Sequence, residues 1–199
     1  MIYIGIDPGR TGGMAAIFPS GKDGRARGKG VVDDDQYSYH FSRMPASEME
    51  VWQWLSQDEF RPYNTELPAA VAVVENIVPG SFTGRDSGQS PANQAKLYGH
   101  FRMLCAFLTA AGIPYETVNS AKAWRACGIG PRKREWSKSQ WKQHLRRRAV
   151  ELFPELYITL DVADALLLAW YCRHVNEMSV RPGPVRHSKP DSTITAEEE

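Results

Sequence analysis

Short dense apolar runs alternate along this chain with longer amphipathic stretches, and the two periods separate strands from helices. Residues 2–6 (IYIGI), 14–18 (MAAIF) and 70–75 (AVAVVE) have strand length and little polarity, and 36–42 (QYSYHFS) alternates as a strand does. A shorter strand is expected over 114–118. Ser47 predicts a helix over 47–57, with Glu50 completing a capping box. Over 92–111, Leu97, Phe101, Leu104, Cys105, Leu108 and Ala111 recur at helical spacing, and Gly112 supplies a stop. A basic helix over 138–153 ends at Pro154, and a last helix runs from about 162 to 175. The glycine-rich, charged stretch 19–30 reads as a flexible basic hairpin tip, and the Pro-rich then acidic tail 180–199 as disordered. One domain over residues 1–179 is expected, without internal repeats.

Three strands, a helix, a strand, a helix, a strand and terminal helices imply an α/β fold, a mixed five-stranded sheet flanked by helices on both faces. In such a sheet the ends of the first and fourth strands can lie side by side. That brings Asp7 and Glu75 together.

The formal net charge of +1 conceals an asymmetry. Residues 122–148 hold ten Lys or Arg against one acid, Glu135, a local balance of +9. A surface of that kind attracts polyanions and should release them as salt rises. Trp124, Trp136 and Trp141 are interleaved with Arg125, Arg132, Lys133, Arg134, Lys138 and Lys142, so indoles either stack on bases or pack beneath the helix. Arg146, Arg147 and Arg148 span all sides of that helix. The three cysteines, Cys105, Cys127 and Cys172, sit in apolar contexts and read as reduced core thiols. The longest uncharged apolar run, 165–172, is too short to cross a bilayer, which leaves a cytoplasmic protein with no membrane partner as the expectation.

Four carboxylates stand out against this background. Asp7 and Glu75 each end an apolar strand, and Asp161 and Asp164 open the last apolar helix at i, i+3 spacing. Each also has an ordinary explanation. Asp7-Pro8-Gly9 is turn chemistry, and Asp161 and Asp164 suit the first turn of a helix. Together they form a set of hard oxygen ligands suited to Mg²⁺ or Mn²⁺. Asp33, Asp34 and Asp35 lie in a polar segment and read as solvated, while His40, His100, His144, His174 and His187 lack ligand spacing. A phosphate-binding Gly-x-x-x-x-Gly-Lys loop is absent.

In order and spacing, IGIDPG with Asp7, AVVEN with Glu75, and DVADALLLA with Asp161 and Asp164 resemble the RuvC family of Holliday junction resolvases, over residues 2–172. The chain most resembles compact phage-type or organellar-type relatives within the ribonuclease-H and retroviral-integrase superfold. The resemblance implies that the four acids are catalytic and hold two Mg²⁺ or Mn²⁺ ions per active site. It implies a lysine in AKAW (Lys122) and another in SKSQW (Lys138) that contact DNA phosphates or steady charge on the scissile group, so Lys138 joins the catalytic set. The remaining DNA contacts fall to Arg125, Arg132, Lys133, Arg134 and Lys142, and to Phe82 and Arg85 in the loop after Glu75, where Phe82 is the candidate junction wedge. The tip at 19–30 is longer and more basic than the bacterial pattern.

The activity so implied is structure-selective DNA cleavage, with symmetric paired nicks in a four-way junction leaving 5′-phosphate and 3′-hydroxyl ends. No small-molecule cofactor is expected. Two symmetric cuts require a homodimer, for which the broad apolar stripe of the 92–111 helix is the expected face. A nuclease for flaps, three-way junctions or hybrids shares the same ligands, and a non-catalytic junction-binding protein shares the basic surface. An actin-like kinase shares the opening strand but needs a longer chain and phosphate loops.

Overall fold

The computed structural model describes residues 1–19, 32–33, 37–60, 69–77 and 90–180. The expectations for the 19–30 tip beyond Pro19, for Asp34 and Asp35, for the loop carrying Phe82 and Arg85, and for the 181–199 tail lie outside the described residues.

Strands β1 (Ile2–Asp7), β2 (Gly13–Pro19), β3 (Val32–Asp33), β4 (Tyr37–Arg43), β5 (Ala70–Glu75) and β6 (Tyr115–Val118) form one mixed sheet in the order β3-β4-β2-β1-β5-β6. The expected five strands are present, and the two-residue β3 adds a sixth at the edge beside β4. β1 is antiparallel to β2 and parallel to β5, and β5 is parallel to β6. Helices α1 (Glu48–Leu55), α2 (Pro91–Ala110), α3 (Ser120–Ala126), α4 (Lys138–Leu152) and α5 (Leu160–Val180) complete the fold.

Strand alternation divides the core into two layers. Ile2, Ile4, Ile6, Met14, Ala16, Phe18, Ala72 and Val74 face one side, where α1 and α2 contribute Val51, Trp54, Leu55, Phe101, Leu104, Cys105 and Leu108. Tyr3, Ala15, Ile17, Tyr39 and Val73 face the other, beneath α3, α4 and α5. The apolar stripe of α2 is therefore spent on its own sheet, and the 92–111 pattern read as a partner face is a core face. Only Leu97, Tyr98, Met103, Phe107 and Ala111 remain partly open along it.

The capping box at Ser47 forms as expected: Glu50 N–H donates to Ser47 Oγ (3.2 Å), and Ser47 N–H to Glu50 Oε2 (3.0 Å). The same device at Ser137 and Gln140 starts α4. All three cysteines are free and buried, and burial pushes the Cys127 and Cys172 thiols up to about 12, so both stay protonated. Among the described residues, no helix is long and apolar enough to cross a membrane.

α5 packs tightly on the sheet. A Cβ at Gly5 would lie 2.1 Å from Ala169 N and 2.2 Å from Ala165 O, so the helix backbone rests directly on β1. A Cβ at Gly13 would lie 2.8 Å from Asp161 O, which seats the first turn of α5 on β2. These two contacts set the height of the helix end above the sheet.

Candidate active site

Parity places Tyr3, Gly5 and Asp7 on the α5 face of β1, and Val71, Val73 and Glu75 on the same face of β5. Because Ile6 pairs in parallel with Val74, Asp7 and Glu75 end their strands at the same level. The expected adjacency is there, and the first turn of α5 closes over it.

Asp7 and Asp164 are only 7% and 5% exposed. Between them lies Lys142 from α4, whose Nζ donates to Asp164 Oδ2 and stands 3.7 Å from Asp7 Oδ2. Asp7 and Glu75 share a side-chain hydrogen bond, and Ser120, at the start of α3, bonds Glu75 as well. Three carboxylates around one ammonium leave uncompensated negative charge in a dry place. Burial, then the charges of Asp164 and Glu75, hold the Asp7 carboxyl well above its usual range. Burial raises Asp164 too, against the pull of Lys142. Burial and then Asp164 raise Glu75, against the Asp7 hydrogen bond. For Lys142, burial opposes the charge, but Asp164 and Asp7 outweigh it and leave the ammonium above its ordinary value.

Asp161 takes a different place. It sits at the outer edge of the cluster and pairs with Arg43 Nε at 2.9 Å. Among the described residues, no three His, Cys, Asp or Glu side chains are grouped, as they stand, to hold a metal ion. Lys142 holds the centre and Arg43 holds Asp161 outward. The donor set nevertheless fits a hard divalent cation, because Asp164 Oδ1 is buried with no hydrogen-bond partner among the described residues and the carboxylates outnumber the cation they face.

The second lysine of the expected catalytic set is placed differently. Lys138 begins α4 and is exposed, whereas Lys142, one turn further on the same face, enters the cluster. Lys122 points elsewhere: it pairs with Glu116 at 3.4 Å and lies over Tyr171, two turns along α5 from Asp164, or about 10 Å. Arg125, Lys133 and Arg134 are exposed, as is Arg132, which donates to the Trp136 carbonyl (3.1 Å). Trp124 is buried core, while Trp136 and Trp141 make tilted ring contacts with each other and with His144. Arg146 and Arg148 fasten α4 to the Ile158 and Cys127 carbonyls, leaving Arg147 exposed.

Three contributors were not singled out from sequence: Arg43, Ser120 and His100, whose Nδ1 accepts from Gly9 N–H (3.1 Å) in the turn after Asp7. Each is a common residue in an unremarkable context. Only the row position of Arg43 at the end of an expected strand could have drawn notice.

No protein-family model and no curated protein matches the sequence. Among solved structures the chain is similar to RuvC from Thermus thermophilus, with a TM-score of 0.51 at 15% identity over 90% of this chain and 97% of that one. It is similar to the same protein in complex with Holliday junction substrate, with a TM-score of 0.51 at 14% identity over 89% of this chain and 96% of that one. The fold is RuvC-like and ribonuclease-H-like.

Proposed function

We propose that this protein is a metal-dependent, structure-selective DNA endonuclease that resolves four-way junctions. The observation that carries the reading is the convergence of buried Asp7 and Asp164 and half-buried Glu75 around Lys142 at the carboxyl edge of the sheet, with Asp161 at its rim. The RuvC-like fold supports it, as does the basic stretch 122–148 on the same side of the sheet as α5.

Asp7, Glu75, Asp161 and Asp164 would hold two Mg²⁺ or Mn²⁺ ions. Such ions lower the pKa of a bound water and stabilise the leaving 3′ oxygen during in-line phosphodiester displacement. The chain's own part is positional. Gly5 and Gly13 fix the height of α5, and hence of Asp161 and Asp164, above Asp7. Ser120 orients Glu75. With cations held by the carboxylates, Lys142 would be free to face a scissile phosphate, and Lys138, one turn earlier on α4 and exposed, would meet the strand further out. Direct in-line attack by water would form no covalent enzyme intermediate and would give 5′-phosphate and 3′-hydroxyl ends.

Symmetric cutting needs two copies, so the active form is a homodimer. With the α2 stripe occupied, its partly open Leu97, Tyr98, Met103 and Phe107 are what that helix still offers a second copy.

A panel of four-way, three-way, flap and RNA–DNA hybrid substrates, incubated with Mg²⁺ and mapped on every strand, tests the substrate. Paired symmetric nicks confined to the four-way junction are expected. One-sided nicks on flaps or three-way junctions would assign the site to another branched-DNA nuclease.

A further inference from the structure

Asp7 is the last residue of β1, and its carboxyl group is only as fixed as the turn that leaves the strand. Pro8 has no N–H, so Gly9 carries the first backbone donor after Asp7. Gly9 holds φ at +119°, a conformation that residues with side chains rarely adopt. The turn then folds back on the strand end. Gly12 N–H donates to the Gly9 carbonyl at 3.1 Å, and a Cβ at Gly12 would lie 2.0 Å from Asp7 O and 3.2 Å from Asp7 Cγ. Whatever moves this turn moves a wall of the Asp7 side chain.

What holds the turn comes from 91 positions away in the sequence: Gly9 N–H donates to His100 Nδ1 at 3.1 Å. Leu97, one turn earlier on the same face of α2, covers Gly9 as well, with its Cδ1 3.2 Å from where a Cβ would stand. Among the described residues, no other side chain from outside the turn hydrogen bonds to residues 8–12. α2 is a firm anchor, because Phe101, Leu104, Cys105 and Leu108 bury it against the sheet. An imidazole accepts at Nδ1 only while that nitrogen carries no proton. Burial holds the His100 imidazole below its ordinary value, against the charge of Glu48, so the ring is neutral at pH 7. Packing alone needs no acceptor at this position. The half-buried ring supplies one, directed at the backbone next to the carboxylate cluster.

We propose that His100 is a positioning residue for the metal site: by accepting from Gly9 it latches the Asp7 turn to α2 and keeps the Asp7 carboxyl where Glu75 and Asp164 can share a cation with it. The inference rests on the nuclease reading for the cation. It adds the α2 side of the sheet to a site otherwise built from the α5 side. Groups that orient metal ligands change affinity about 10- to 100-fold when removed. One neutral, half-buried hydrogen bond contributes little to folding, so the latch shows in metal binding rather than in stability.

The test is a Mn²⁺ titration without DNA, with the free ion followed by electron paramagnetic resonance, joined to NMR measurement of Gly9 amide exchange. His100→Leu keeps the bulk and removes the acceptor. It should bind Mn²⁺ about tenfold more weakly and exchange the Gly9 proton faster, with a melting temperature close to that of wild type. His100→Asn carries its oxygen on Cγ, as the imidazole carries Nδ1, and should restore both readouts. His100→Gln sets its oxygen one bond further out and should not. Wild-type Mn²⁺ affinity in His100→Leu, or an Asn variant as weak as Leu, would overturn the positioning role. Gly9 exchange as slow in His100→Leu as in wild type would overturn it too. Mg²⁺-dependent nicking of a four-way junction by wild type, with Mn²⁺ affinity indifferent to His100, rejects the positioning role alone. Mn²⁺ binding that depends on His100 in a protein that nicks no DNA rejects the nuclease and leaves the positioning role standing.

Discussion

At the scale of single residues the site is organised by charge crowding. Asp7, Glu75 and Asp164 all titrate above their ordinary values, chiefly through burial. A carboxyl raised in the folded state contributes stability that is full below its unfolded pKa and lost as pH rises through the folded one. In EDTA, therefore, the melting temperature of wild type relative to Asp7→Asn should fall as pH climbs from about 3.8 towards neutrality. At pH 7 the Asn variant should be the more stable of the two. Millimolar Mg²⁺ should raise the wild-type melting temperature and affect the variant less. A wild-type advantage that grows with pH in EDTA would contradict the crowding. The acids were legible in sequence because a carboxylate that ends an apolar run has few cheap places to go. Lys142 was legible only as one basic residue among ten in 122–148. What distinguishes it from Lys138 is the docking of α4 on α5, which no local pattern encodes.

At the scale of elements the decisive contact is α5 on β1. Gly5 has no room for a methyl group against Ala165 and Ala169, so Gly5→Ala must lift the helix and with it Asp164. A loss of about 3 kcal/mol in denaturant unfolding is expected, along with loss of Mg²⁺-dependent nicking in whatever fraction still folds. Unchanged stability would show that the helix is not seated as described. The strands and long helices were readable from period alone, including the capping box at Ser47. α3 was not, because seven residues with Ala123 and Trp124 as its buried positions give too little periodicity. β3, with two residues, has none. The α2 stripe carries a different lesson: amphipathic spacing says that a face is covered, not whether its own sheet or a second chain covers it.

At the scale of the whole molecule, the order of strands did most to anticipate the site. A meander followed by crossover connections places β1 beside β5, and two acids 68 positions apart become neighbours. The same topology carries the row of strand ends on to Arg43, two strands beyond Asp7. Neither the dimer nor the junction is written in that topology; they are proposals about surfaces. The claim on which both depend is that the carboxylate cluster cuts DNA. The most direct measurement compares wild type and Asp7→Asn on a mobile four-way junction, following binding by gel shift and nicking with Mg²⁺ on mapped strands. Binding by both proteins with nicking by wild type alone is the predicted result, and nicking by Asp7→Asn at the wild-type rate would contradict it.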